Sequence, residues 1–257
     1  MRFHLPQIEA AITRVCVNSC AACNHAIPVA KPPYIMPLEV LREDLLRIGQ
    51  VADIGQLALL GGEPLLHPDI DEMIAMARST NVAKLVVIIT NGQLLQRMTE
   101  RFWRTIRKID VDVYPGKLSG AQIVYIQRKA RENHVDLRIF PVSTFYKCVR
   151  SGKDETPEHV QARFDRCPTG HLCTCVDYGH VYRCQQAFLW PPLFMPDQSP
   201  TVDGIPLDGI TPEKLKAYLE GKTPLKSCRR CSVQEQYHNW HETTRDRWGK
   251  ESTYEEA

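Results

Sequence analysis

The amino-acid sequence predicts an α/β fold: a partial (β/α) barrel of about five strands and four helices, followed by a small C-terminal piece stapled by metal. Three observations lead there. Strand-like and helix-like runs alternate from residue 9 to about 142, the pattern of parallel βα units. Turn residues close most of the strand-like runs. The ten cysteines are segregated to the two ends, with none between residues 24 and 147.

The elements follow in order. "EAAITRV" (9–15) alternates apolar and polar residues and is rich in β-branched side chains, which predicts a strand. Cys16, Cys20 and Cys23 come next, in a loop. "MPLEVLREDLLRIGQV" (36–51) carries apolar residues at helical spacing. "GQLALLGGEP" is a buried strand stopped by two glycines. "HPDIDEMIAMARST" starts with Pro68 and early acids, both helix-start signals. "AKLVVIITNG" (83–92) is the clearest buried strand and ends in Asn-Gly; "LLQRMTERFWRTIRK" reads as one helix. "IDVDVYPG" is a strand, "SGAQIVYIQRKARENH" a helix starting after Ser119, and "VDLRIFPVS" the fifth strand.

The pattern then changes. "CTCVDYGHVYRC" predicts a hairpin turning near Asp177–Gly179, "WPPLFMPDQSPTVDGIPLDGITP" is irregular, and "PEKLKAYLEGKTP" is a short helix. A piece of this size has little core of its own. The expected division is 1–142 for the barrel, 143–242 for the stapled piece and 243–257 for a frayed tail.

Bulk composition excludes several function classes. With 257 residues, 43% hydrophobic, 24% charged and a net charge of +2, the chain has no broad basic field for nucleic acid. No stretch approaches the roughly 20 apolar residues of a membrane span, and the N-terminus lacks a signal core, so the expected location is cytoplasmic. No Gly-x-Gly-x-x-Gly follows the first strand, which argues against a dinucleotide fold. Cytosolic thiols stay reduced, so clustered cysteines point to metal.

In barrels and parallel sheets, sites gather at the C-terminal ends of the strands. The cysteine loop, "GGEP", "TNG" and "YPG" all follow strand ends and are expected on one rim. Thiolates select iron–sulfur clusters or zinc. Three thiolates leave one position open; His25 beside them makes a zinc site of three thiolates and one imidazole the competing reading, although the spacing is poor for it.

The C-x-x-x-C-x-x-C spacing after the first strand, joined to "LGGEP" after the second, resembles the radical S-adenosylmethionine (SAM) superfamily. The resemblance implies that Cys16, Cys20 and Cys23 hold a 4Fe–4S cluster whose fourth iron is chelated by SAM. One-electron reduction then cleaves SAM, and a 5′-deoxyadenosyl radical abstracts a substrate hydrogen. It implies that Gly61, Gly62, Glu63 and Pro64 receive the SAM amino group, with Thr90 and Asn91 near SAM. Ala22 stands where an aromatic residue often precedes the third cysteine. Tyr114, Lys117 and Arg138, near the ends of the fourth and fifth strands, are the candidate ribose, carboxylate or substrate contacts and catalytic residues.

Cys167, Cys184, Cys228 and Cys231 form a second set. Four sulfurs close a tetrahedral site for zinc or a cluster. Beside the first set they resemble the twitch half of a SPASM extension, which implies one auxiliary 4Fe–4S cluster. Cys173 and Cys175, two apart on a strand, are expected to face one side; they are either buried small residues or a replacement for Cys167. His67, His238 and His241 are expected at the surface or in packing.

The short barrel and single auxiliary site resemble the 2-deoxy-scyllo-inosamine dehydrogenase type. That implies oxidation of an alcohol on a small polar substrate such as a sugar or cyclitol. The auxiliary cluster would be the electron acceptor, with an external donor of flavodoxin or ferredoxin type. The alternatives are a peptide maturase, a radical epimerase or dehydratase and, outside enzymes, a zinc-stapled binding module.

Overall fold

The computed structural model describes residues 2–30, 33–146, 149, 155–167, 173–232 and 237–251. Five parallel strands make the heart of the sheet: β1 (Phe3–Thr13), β2 (Ala52–Gly61), β3 (Ala83–Thr90), β4 (Lys108–Val113) and β5 (Asp136–Pro141). Helices α1 (Leu38–Val51), α2 (Ile70–Ser79), α3 (Glu100–Thr105) and α4 (Gly120–Glu132) connect them. The strands stand in the order β5-β4-β3-β2-β1. The five strands and four helices expected from the sequence are all present.

Strand alternation decides what each face carries. On β1, Ile8, Ala10 and Ile12 join the core under the helices. Leu41, Leu45 and Ile48 of α1 are fully buried there, each contributing about 1.5–3 kcal/mol. The opposite, inner face takes Ala11, Ala58 and Val87 into a second core with Phe188, Trp190 and Trp248. Polar residues also point to this inner face, and they build the site.

Boundaries differ from expectation at two places: β1 spans Phe3–Thr13 rather than 9–15, and the helix expected after β3 is broken. The run 94–108 is not one helix: a 3-10 turn covers Leu95–Arg97 and α3 starts afresh at Glu100. Thr99 causes the break, because its hydroxyl accepts the Phe102 N–H at 2.9 Å and donates to Asp71 at 2.6 Å. By contrast α4 begins where expected, with Ser119 and Gln122 forming a capping box.

The sheet runs on beyond residue 142. After β6 (Thr144–Tyr146) and α5 (Pro157–Asp165), strand β7 (Cys175–Asp177) pairs in parallel with β1 at Glu9↔Cys175. It turns through Tyr178 and Gly179, both at positive φ, into β8 (His180–Tyr182), as the hairpin signal predicts. Helices α6 (Gln186–Leu189) and α7 (Pro191–Phe194), strand β9 (Ile205–Pro206) and helix α8 (Pro212–Leu219) follow. Strand β10 (Tyr237–Asn239) returns to pair with β6.

The expected frayed tail is instead helix α9 (Arg245–Glu251) within the described residues. Trp248 anchors it, 1% exposed and stacked on Phe194 at 6.1 Å. No described helix is long and apolar enough to cross a membrane.

Candidate active site

At the C-terminal rim of β1–β4 lies a cavity of about 250 Å³. Cys16, Cys20 and Cys23 line one side, and Gly61, Gly62, Thr90, Asn91 and Tyr114 line the rim beside them. Glu9, Asp112, Phe145 and Gln185 also face it.

The two glycines are there because nothing larger fits. Gly62 N–H donates to Thr13 O and Glu63 N–H to Val15 O, both at 2.8 Å, which lays the turn against the start of the cysteine loop. A Cβ on Gly61 would meet Thr13 O at 2.2 Å, and one on Gly62 would meet Val15 O at 2.2 Å. Gly61 also has a φ of +148°, a conformation L side chains rarely adopt.

Glu63 and Pro64 stand apart from the cavity lining. The Glu63 carboxylate is fully buried and accepts three hydrogen bonds: Leu65 N–H at 3.1 Å, Thr90 hydroxyl at 2.6 Å and Asn91 N–H at 3.0 Å. It straps the end of β2 to the end of β3, so its reach to the cavity runs through Thr90 and Asn91. Burial pushes its carboxyl up to about 7 despite those donors, and Asp112 adds to the rise.

The thiols are held differently from one another. Cys16 Sγ accepts Asn18 N–H at 3.4 Å and the Asn91 side-chain amide at 4.0 Å, and Cys23 accepts backbone N–H groups of His25, Ala26 and Ile27. Cys20 Sγ instead receives the Trp240 indole N–H at 3.2 Å, from a residue far along the chain. Burial raises Cys16 and Cys23 to about 11 and Cys20 to about 12, so a positive charge in the cavity is what would ionise them. His25 Nδ1–H donates to Gly61 O at 2.7 Å and so braces the cysteine loop against the glycine turn. Among the described residues no three Cys, His, Asp or Glu side chains converge on a single-ion site. Three inward thiols around a larger space suit a multi-iron group with one open corner, and the donor set fits it.

The remaining candidates separate. Tyr114 lines the cavity and stacks on Trp240 at 5.2 Å, with Phe145 edge-on at 5.7 Å. These rings supply the aromatic surface that Ala22, itself buried, does not. Lys117 does not line the cavity; its ammonium donates to Glu242 at 2.6 Å and sits over the Trp240 ring. Arg138 is also elsewhere, forking onto Asp110 at 2.9 and 2.8 Å.

Two inward carboxylates escaped the sequence reading. Glu9, 7% exposed, is held by Gln185 at 2.9 Å and Gln7 at 3.0 Å. Asp112 lines the cavity, and burial with neighbouring Asp110 lifts it to about 6. Strand alternation on β1 and β4 was the available signal.

Behind the cavity, Cys167, Cys184, Cys228 and Cys231 line one common apolar pocket. Cys228 sits in the 3-10 turn Lys226–Arg230 and Cys231 caps its end. The turn is fixed from two sides. Asp203 accepts the N–H groups of Lys226 at 2.7 Å and Ser227 at 2.8 Å. Arg163, 4% exposed and ion-paired with Glu155, donates to Cys228 O at 2.9 Å and Cys231 O at 2.5 Å. Four thiols with no open corner fit a fully ligated group.

Cys175 is fully buried on β7, while Cys173, just before the strand, faces the first cavity. Cys175 belongs to the core of the inner face, the face on which the cavity lined by Cys173 also lies. His67 is buried, donating through Nε2–H to Met36 O at 2.8 Å. His241 is exposed; Cys148 and the side chain of His238 lie outside the description.

Residues 11–136 match the family model described as the Radical SAM superfamily. The GTP 3′,8-cyclase of Chlorobaculum tepidum is 34% identical over 95 residues, 36% of this chain and 28% of that protein. That of Helicobacter pylori is 32% identical over 124 residues, 48% of this chain and 38% of its own length. The chain thus spans well under half the length of the curated relatives it matches. Two solved structures share the fold. BtrN in complex with AdoMet and 2-DOIA has a TM-score of 0.54 at 19% identity, covering 86% of this chain and 85% of that one. The anSMEcpe structure with bound AdoMet has 0.55 at 14%, covering 97% and 95%. The α/β partial barrel expected from the sequence is borne out. A 4Fe–4S cluster and SAM go with such a domain, and the cysteine-rich C-terminal region is compatible with an auxiliary cluster.

Proposed function

We propose, from the premise that residues 11–136 are a radical SAM domain, that the chain oxidises an alcohol on a small polar substrate such as a sugar or cyclitol. Cys16, Cys20 and Cys23 would hold the first cluster, and Gly61, Gly62, Thr90 and Asn91 would cradle SAM. Cys167, Cys184, Cys228 and Cys231 would hold the second. When bound, these groups supply hydrogen-atom abstraction at the first site and uptake of the remaining electron at the second.

One observation carries the reading. Gln186 lines both the cavity and the second thiol pocket, and Gln185, next after Cys184, faces the cavity and bonds Glu9. The two sites are therefore separated by a single short stretch of chain. Turning a carbinol into a ketone removes one hydrogen atom, one proton and one electron. Asp112 is suited to the proton: it faces the cavity, and a pKa of about 6 makes it a carboxylate base near neutrality. Tyr114 and Phe145 wall the cavity. Thr90 and Asn91 are held rigid by Glu63, which keeps the rim in one geometry.

GTP, named for the curated relatives, carries three phosphates. The described residues lining the cavity include no lysine or arginine, whereas phosphates are usually met by such cations. The test is anaerobic turnover of the reconstituted chain with SAM, a reductant and a panel of polyols and aminocyclitols, with GTP and a peptide pool as further arms. Ketone product matched to 5′-deoxyadenosine supports the reading. Turnover confined to GTP or peptide sinks it, as does a colourless protein holding zinc.

A further inference from the structure

Three thiols face the first cavity, and Cys20 receives a hydrogen bond from a residue 220 positions along the chain. Cys16 accepts the Asn18 N–H at 3.4 Å and the Asn91 side-chain amide at a longer 4.0 Å, and Cys23 accepts backbone N–H groups of the cysteine loop. The donor to Cys20 is the indole of Trp240, brought in by the segment that follows β10. That segment is laid along the loop by main-chain bonds: Ala21 N–H to His241 O at 3.0 Å and Thr243 N–H to Ser19 O at 2.8 Å. Ser19 Oγ–H adds a bond to Thr243 O at 2.7 Å. The Trp240 backbone N–H donates to Ser143 O at 2.9 Å, its ring stacks on Tyr114, and the Lys117 ammonium lies over the ring at 5.6 Å. The indole is thus fixed in place, and its single polar group is aimed at a sulfur.

We infer that Trp240 is a positioning residue that raises the reduction potential of the first cluster, by donating its indole N–H to the Cys20 sulfur. The inference rests on the reading of Cys16, Cys20 and Cys23 as cluster ligands. An N–H donor draws electron density from a ligating thiolate. It therefore favours the more electron-rich, reduced state over the oxidised one. Hydrogen bonds to the sulfurs are among the means by which a protein sets such potentials. Docking of the C-terminal segment and ease of reduction are in this way coupled, because that segment carries the donor to Cys20.

The experiment is an EPR-monitored redox titration of the full-length, anaerobically reconstituted protein, with SAM added to identify the first cluster. Trp240→Phe keeps the ring against Tyr114 and removes only the N–H. The expected result is full iron content, an unchanged second potential and a first potential moved to more negative values. The reduced fraction at a fixed potential falls by up to about tenfold, about 59 mV for a one-electron couple. An unmoved first potential with full iron overturns the inference. If Trp240→Phe loses iron, the wild-type protein carries the test. With indole-15N tryptophan, the reduced first cluster should show a nitrogen hyperfine coupling. Among the described residues Trp240 alone has its indole nitrogen within hydrogen-bond distance of a thiol sulfur, so absence of that coupling also overturns it. A wild-type chain that takes up no iron–sulfur cluster overturns the underlying reading and this inference together, whereas the other negative results leave that reading standing.

Discussion

Glu63 reaches from the end of β2 to the end of β3, where the Thr90 hydroxyl donates to it at 2.6 Å inside a site with no solvent contact. The same carboxylate takes the Asn91 and Leu65 N–H groups, so one side chain satisfies two buried backbone donors and fixes two rim residues. These bonds hold the rim that Thr90 and Asn91 present.

That strap makes stability depend on pH. Glu63 has a folded pKa of about 7 against an ordinary 4.5. The folded state therefore binds more protons between these values. The contribution is fully present below about pH 4.5 and is lost as pH rises through about 7, at most about 3 kcal/mol. Asp112, at about 6, and Asp177, at about 7, act in the same direction. Urea midpoints of the wild type should fall from pH 4.5 to 8, and Glu63→Gln should show a shallower fall. Identical slopes would contradict the burial argument.

Gly62→Ala should be among the costliest single-methyl changes, since its Cβ would lie 2.2 Å from Val15 O, a backbone atom that cannot swing away. We expect a loss of several kcal/mol or insoluble protein. Gly120→Ala, at the first turn of α4 with nothing within 4 Å, is the matched control. It should hold or gain up to about 1 kcal/mol. Thermal midpoints of the two variants check the contrast.

The two thiol sets should lose iron independently. Cys16→Ala, Cys20→Ala or Cys23→Ala should remove about four of about eight irons and abolish SAM cleavage. Cys228→Ala should remove the other four or so, keep some SAM cleavage and lose the ketone. Iron assay with 5′-deoxyadenosine quantitation reads both. Loss of all iron in Cys228→Ala would instead mark the second site as a folding determinant, since metal binding and folding are coupled in small units.

Arg163→Met should damage the second set without touching the first. It removes the ion pair to Glu155 and the hydrogen bonds to the carbonyls of Cys228 and Cys231, and breaking a buried pair costs about 3–5 kcal/mol. Iron content should drop toward half while the SAM-perturbed EPR signal of the first cluster survives.

Lys117→Gln should be mild. Its bond to Glu242 is partly solvent-exposed, 22% and 40%, and such pairs are worth under about 1 kcal/mol. Asp112→Asn should cut ketone formation by roughly 10²–10⁴-fold while 5′-deoxyadenosine still forms. A larger loss from Lys117→Gln than from Asp112→Asn would return the catalytic role to the lysine.

Periodicity carried most of the fold into view. The alternating runs from "EAAITRV" to "VDLRIFPVS" located all five parallel strands because buried β-strands and amphipathic helices each leave a fixed repeat. The restart at Thr99 was hidden, since apolar spacing continues across it and only the cap hydroxyl breaks the helix. Trp248 was hidden in the supposed tail because a single buried indole leaves no repeat.

The sequence alone determined the chemistry on offer: three thiols after the first strand, a Gly-Gly turn after the second and four more thiols towards the C-terminus, each a local pattern. Tertiary structure decided which groups share a space. It tied Glu63 to Thr90 and Asn91 of the rim, brought Glu9 and Asp112 into the cavity, drew Arg138 onto Asp110 and set Trp240 against Cys20. The last two pairings join residues 28 and 220 positions apart. Local spacing encodes a residue's element and face, whereas its partner across the sheet is set by strand order and register, which arise only when the whole chain packs.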